Sequence, residues 1–168
     1  MIKRVVLFAS LFAAGVAYAD DYKLGNIVIA HPWARPTAQS VKIGAAYLSL
    51  ENKGNEADKL VSAASPVAGK TQIHKTTNEG GVTKMREAGG GVDLAPGATL
   101  AFKPGSYHIM LLDLKQKLEE GQRIPLTLTF AKAGSINIEV DVEKRSGSEH
   151  SGGPMHDQGM TGMDHKMH

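Results

Sequence analysis

Short runs of alternating apolar and polar residues, separated by Gly, Pro and Asn, recur along the chain from Ile27 to Glu143. Leu126, Leu128 and Phe130 alternate with Thr127 and Thr129, and Ile136, Ile138 and Val140 alternate with polar neighbours. A period of two sends successive side chains to opposite faces of a strand, so each run reads as a strand buried on one side. The pattern predicts strands near Ile27–Ala30, Ile43–Glu51, Lys59–Ser62, Thr71–Thr76, Val82–Glu87, Thr99–Phe102, Tyr107–Leu112, Ile124–Phe130 and Ile136–Glu143, with Val92–Leu94 as a further short one. Lys115–Glu120 reads as a helical turn before Gly121, and no long amphipathic helix is visible. Many short strands at this spacing specify an all-β protein, an antiparallel sandwich or barrel.

The two ends depart from that pattern. Met1-Ile2-Lys3-Arg4 precedes an almost unbroken apolar run from Val5, which closes on Ala17-Tyr18-Ala19 before Asp20. A basic start, a short apolar stretch and a small-x-small site describe a secretory signal peptide over residues 1–19. The apolar run is shorter than the roughly 20 residues a spanning helix needs, so no transmembrane span is expected in the mature chain. With Lys3 and Arg4 gone, 17 basic residues face 17 acidic ones, and nothing points to a nucleic-acid partner. The expected compartment is the periplasm, where disulfides can form, yet the chain has no cysteine. That excludes a disulfide framework, a thiolate zinc site, a redox CxxC pair and a lipidated amino terminus.

From Ser146 the chain turns Gly- and Ser-rich and interleaves His150, His156, His165 and His168 with Met155, Met160, Met163 and Met167. Such a composition cannot bury enough surface to offset its ordering entropy. Residues 146–168 are therefore expected to be a disordered tail, and residues 20–145 one folded domain. A purification tag would be histidine alone, and a neutral linker would not pair Met with His. The tail reads as a metal-binding segment, suited to Cu(II) through its imidazoles.

Within the domain, His74, Met85, His108 and Met110 share one chemistry. A strand methionine by itself is ordinary core filling, and a lone histidine is an ordinary polar group. Here Tyr107, Ile109 and Leu111 already supply one face of their strand, which leaves His108 and Met110 together on the other. His74 and Met85 flank the turn signal Asn78-Glu79-Gly80-Gly81. A hairpin centred on Glu79-Gly80 would set His74 directly opposite Met85, with Cβ atoms about 4.5–5.5 Å apart. Two imidazoles and two thioethers form a soft, neutral set that selects Cu(I). His31, beside Pro32, reads first as structural or solvated and second as a metal ligand. Trp33, the one tryptophan, reads as core or as a flank of the site.

Several stretches then resemble the periplasmic PCu(A)C copper chaperones. They are Trp33-Ala34-Arg35, Gly44-Ala45-Ala46-Tyr47 leading to Glu51-Asn52-Lys53-Gly54, Ser65-Pro66-Val67-Ala68, Ile73-His74, Gly81 to Arg86, and Lys103 to Leu111. The likeness runs from about Ile27 to Val142, and its specific element is the His-Met-His-x-Met spacing. It implies a cupredoxin-like antiparallel Greek-key β-sandwich that binds Cu(I) near one end through His74, Met85, His108 and Met110. It also implies delivery of copper to apo-proteins, notably the binuclear CuA site of cytochrome c oxidase subunit II. A thiol-containing copper assembly protein is a further expected partner. In the family, His/Met tails are associated with Cu(II). Two departures stand out: one extra residue between Met85 and His108, best placed in Gly89-Gly90-Gly91, and Thr83 where relatives often carry Met.

Three functions are weighed against one another. A monomeric Cu(I) carrier leads. A copper sequestration or resistance protein is the alternative, resting mainly on the tail. An enzyme is disfavoured because no Gly-x-Ser-x-Gly, phosphate loop or dinucleotide fingerprint occurs, and because the first mature residue would be Asp20 rather than a brace-forming His.

Overall fold

The computed structural model describes residues 21–145. The expected leader (1–19) and the His/Met tail (146–168), with every tail candidate from His150 to His168, lie outside the described residues. Within them the chain is all β. The strands are β1 (Tyr22–Leu24), β2 (Ile27–Ala34), β3 (Ile43–Asn52), β4 (Asp58–Ala64), β5 (Ala68–Glu79) and β6 (Val82–Glu87). They continue as β7 (Val92–Leu94), β8 (Thr99–Phe102), β9 (Tyr107–Leu114), β10 (Arg123–Phe130) and β11 (Gly134–Val142). Every strand expected from the alternation is present, most with longer ends, and β1 is added ahead of them.

Pairing follows the order β6-β5-β9-β8-β3-β2-β11-β10-β4-β7, with β1 on β2 and a second pairing of β9 with β3. Most ladders are antiparallel; β2–β11 and the single bridge between β8 and β9 are parallel. β3 serves two neighbours. Its first half, Ile43–Ala46, lies along β9, and its second half, Leu48–Glu51, along β8. The sheet thereby folds over itself around a core that includes Ile29, Leu50, Leu60, Ile109, Leu111, Leu126, Leu128 and Val140. The core members of β10 and β11 are those the alternation selected, with Ile136 only partly buried at the margin.

Lys115–Glu120 is not a helical turn. Leu118 within it is fully buried, its N–H donates to Thr37 Oγ1 at 2.9 Å, and its carbonyl accepts from Thr37 N at 3.0 Å. A Cβ on Gly44 would lie 3.2 Å from a Leu118 methyl, so the glycine opens the space that Leu118 plugs. Tertiary burial of one leucine thus overrides the local helical preference of its neighbours.

Candidate metal site

Strands β6, β5 and β9 form one end of the sheet and carry all four candidate ligands on one face. β5 pairs with β9 so that His74 lies directly across from His108, Gln72 from Met110, and Ile73 from Ile109. Ile73 and Ile109 point into the core and are buried, which sends His74, His108 and Met110 to the opposite face.

The hairpin register differs from the expected one. The turn is centred on Gly80-Gly81, both at positive φ (61° and 82°), and Asn78 Oδ1 accepts from Gly81 N at 3.0 Å. A two-residue loop with positive φ at both positions favours a Gly-Gly pair over Glu-Gly. Met85 therefore pairs with Thr76, and Glu87 takes the place across from His74. The shift is two residues, so Met85 keeps its face and stands diagonal to His74, within reach of a long side chain. It is 54% exposed on the edge strand, which rules out core filling as its role.

The two imidazoles are built to present lone pairs. His108 is 4% exposed. Its Nδ1 lies 3.1 Å from the Ser106 carbonyl, which can only accept, so the proton sits on Nδ1 and Nε2 is bare. His74 Nε2 lies 3.4 Å from Gln72 Oε1, a longer contact that leaves Nδ1 as its bare nitrogen. His108 Nε2 and His74 Nδ1 are both buried without a hydrogen-bond partner. An unsatisfied buried nitrogen costs about 1–3 kcal/mol, and a cation held between the two rings, 5.9 Å apart, would satisfy both. Imidazole nitrogens that hold an ion at about 2 Å suit that separation. Ser106 O and Gln72 Oε1 stand where acceptors that orient a ligating histidine would stand. Gln72 was not legible as a site residue in the sequence, because its role depends on which strand lies beside β5.

Met110 is half-buried between Gln72 on β5 and Ala45 on β3. Among the described residues Met85 and Met110 are the only methionines, and no three His, Asp or Glu side chains converge. With no such third group, thioether sulfur on the same face is the donor left to complete the histidine pair. The site fits a soft, monovalent ion better than a hard divalent one.

His31 lies elsewhere. It is exposed in a groove of about 400 Å³ with Glu120, Arg123, Asp141 and Glu143. The acids there already pair with cations: Asp141 with Arg123 at 2.9 Å, Glu143 with Arg145 at 2.6 Å and Glu120 with Lys144 at 2.8 Å.

Burial lowers the His74 pKa below the usual imidazole range; the nearby His108 and Lys70 act in the same direction, and Glu87 opposes them. The unfolded chain therefore takes up this proton first. Stability from His74 is full above about pH 6.5 and falls as pH drops from there through the lower folded pKa. The neutral ring also persists further into mild acid than a free imidazole. NMR titration of the His74 ring in apo-protein is expected to give a midpoint below 6.5. A midpoint at or above that value would contradict the burial of its ring.

An all-β sandwich with a His/Met cluster on the outer face of one sheet end is the class these features define. The family model described as "Putative lipoprotein LpqE-like" matches residues 27–142, and the chain belongs to that family. The protein named "Putative lipoprotein Lxx21020" of Leifsonia xyli subsp. xyli is 32% identical over 123 residues, covering 73% of each chain. The apo PCuAC domain from PmoF1 superposes with a TM-score of 0.64 at 29% identity, covering 75% of this chain and all of that one. The Cu(I) form of DR1885 from Deinococcus radiodurans has a TM-score of 0.59 at 27% identity, covering 77% and 85%. The fold is that of PCu(A)C domains, as the resemblance in the sequence implied.

Proposed function

We propose that this protein is a periplasmic copper chaperone that holds one Cu(I) through His74, Met85, His108 and Met110. The observation that carries the reading is the pair of buried, partnerless imidazole nitrogens on cross-strand neighbours His74 and His108, with Met110 on the same face. The family and its copper-bearing structural relatives support it, and the relative named a putative lipoprotein supports export. All four ligands are neutral, so the ion keeps its single positive charge and remains attractive to a thiolate acceptor. Release would proceed by ligand exchange. Met85, exposed on the edge strand, is the ligand an acceptor sulfur can replace first, while His108 is anchored by Ser106. The acceptor of choice is the CuA site of cytochrome c oxidase subunit II, directly or through a thiol-containing assembly protein, with the tail capturing Cu(II).

The test is transfer. Apo-protein titrated with Cu(I) against a chromophoric chelator should bind one ion at the domain. The loaded protein mixed with the apo soluble domain of subunit II under reducing conditions should hand that ion over, measured by copper content after separation. Binding without transfer to this acceptor would leave a sequestering role as the better reading.

A further inference from the structure

Trp33 and Tyr47 are 8% and 7% exposed, as buried as core residues, yet neither faces the core. Along β3, Ala46, Leu48 and Leu50 point inward, so Tyr47 points to the outer face. Trp33 is its direct cross-strand partner on β2 and leaves the same side. The two rings stack with centroids 4.6 Å apart and planes 31° apart. The guanidinium groups of Arg145 and Arg35 lie 4.8 Å and 6.0 Å from the Trp33 ring centroid.

This stack stands on the sheet face that bears the candidate ligands. Ala45, two residues before Tyr47, is the cross-strand partner of Met110. The ladder between β3 and β9 ends at Ala46–Ile109, and carrying its register one residue further sets Tyr47 level with His108 on that face. His108, nearly fully buried on a face outside the core, has His74 directly across from it on β5, and the Trp33–Tyr47 stack stands on the same face where the β3–β9 ladder ends.

A specific backbone feature turns Trp33 this way. Ile27 and Ile29 point inward, and an unbroken alternation would send Trp33 inward too. The β2–β3 register shifts between Ala30 and Trp33, so Ala34 takes the inward place instead. The shift is made at His31, which has φ of 50° immediately before Pro32. Residues before proline favour extended backbone, and a non-glycine residue at positive φ stores of order 1–3 kcal/mol. The chain accepts that strain where it aims its single tryptophan at the metal face.

The geometry points to Trp33 as a positioning residue that wedges Tyr47 against His108 and seals the inner side of the copper site from water. This rests on the copper reading above and adds a direction to it: the ion enters and leaves only past Met85. A dry inner wall limits solvent access to the metal and favours the monovalent ion over the divalent one. His31 contributes through the bulge, not as a ligand.

Because Trp33 is the only tryptophan, the full-length protein reports on itself. With one equivalent of Cu(I), held as judged by chelator competition, Trp33 emission is expected to fall by about half or more, and a His108→Gln variant should lose that response. Trp33→Leu is expected to bind Cu(I) in the same ratio but to surrender it to a thiolate chelator, and to oxidise in air, about tenfold faster. Trp33→Phe should restore slow exchange, which a merely structural role would not require. If Trp33→Leu fails to fold, Tyr47→Leu opens the same wall and should show the same faster exchange. Bound Cu(I) with unchanged emission, or exchange at the parent rate in the folded Leu variant, would overturn the wall. Failure to bind Cu(I) at all would instead overturn the copper reading and this inference with it.

Discussion

A Met85→Leu/Met110→Leu double variant is expected to lose Cu(I) affinity by roughly two orders of magnitude or more, about 3 kcal/mol. Its apo fold should stay intact. Leucine and methionine have similar volumes; Met85 is 54% exposed and packs little, and Met110 sits between Gln72 and Ala45 outside the core. What the variant removes is both thioethers, half of a four-ligand set. His74 and His108 alone would leave Cu(I) with two nitrogens, and the residual site should discriminate less against Cu(II). The single variants should differ. Met85→Leu removes the exposed ligand on the edge strand, so it should act mainly on the rate of release. Chelator competition gives the affinity and stopped-flow transfer gives the rate. Unchanged Cu(I) affinity in the double variant would sink the four-ligand assignment.

Ending the chain at Arg145 is expected to abolish most Cu(II) binding while sparing one Cu(I) and the apo melting temperature. The tail holds four His and four Met on a Gly-rich segment, and its composition supplies no core. Where the cut falls matters. Glu143 N–H donates to the Ala34 carbonyl at 3.0 Å, and the Arg145 guanidinium covers Trp33. A chain stopped at Val142 would lose both and uncover the aromatic stack, at a cost of about 1–2 kcal/mol for the solvent-exposed cation–π contact and the hydrogen bond together. Calorimetry of the two truncations with Cu(II) and Cu(I) separates the effects. Cu(II) affinity that survives the cut at Arg145 would place the divalent site on the domain.

The hairpin shows how far local pattern carries. Asn78-Glu79-Gly80-Gly81 announces a turn, and alternation puts Met85 on the His74 face whichever pair forms its centre with the same parity. The pattern does not say which two residues occupy the turn. Gly80 and Gly81 do so because positive φ at both positions costs glycine little, and Met85 moves from a direct to a diagonal neighbour of His74. A shift of one residue would have sent it to the other face; a shift of two did not. Lys115–Glu120 illustrates the opposite case. Its local preference was helical, and the burial of Leu118 over Gly44 overrode it.

Read alone, the chain already specified an all-β fold, the strands and the inward residues of β10 and β11, and it marked His74, Met85, His108 and Met110 as candidate soft ligands. All of these follow from side-chain type and a period of two, which are properties of neighbours in sequence. Tertiary structure alone decided that β5 and β9 are adjacent and so set His74 across from His108. It also assigned their bare nitrogens through Gln72 and Ser106, and turned Trp33 outward at a strained bulge. Those outcomes depend on contacts between strands far apart in sequence, where pairing and burial are settled only once the whole sandwich has closed.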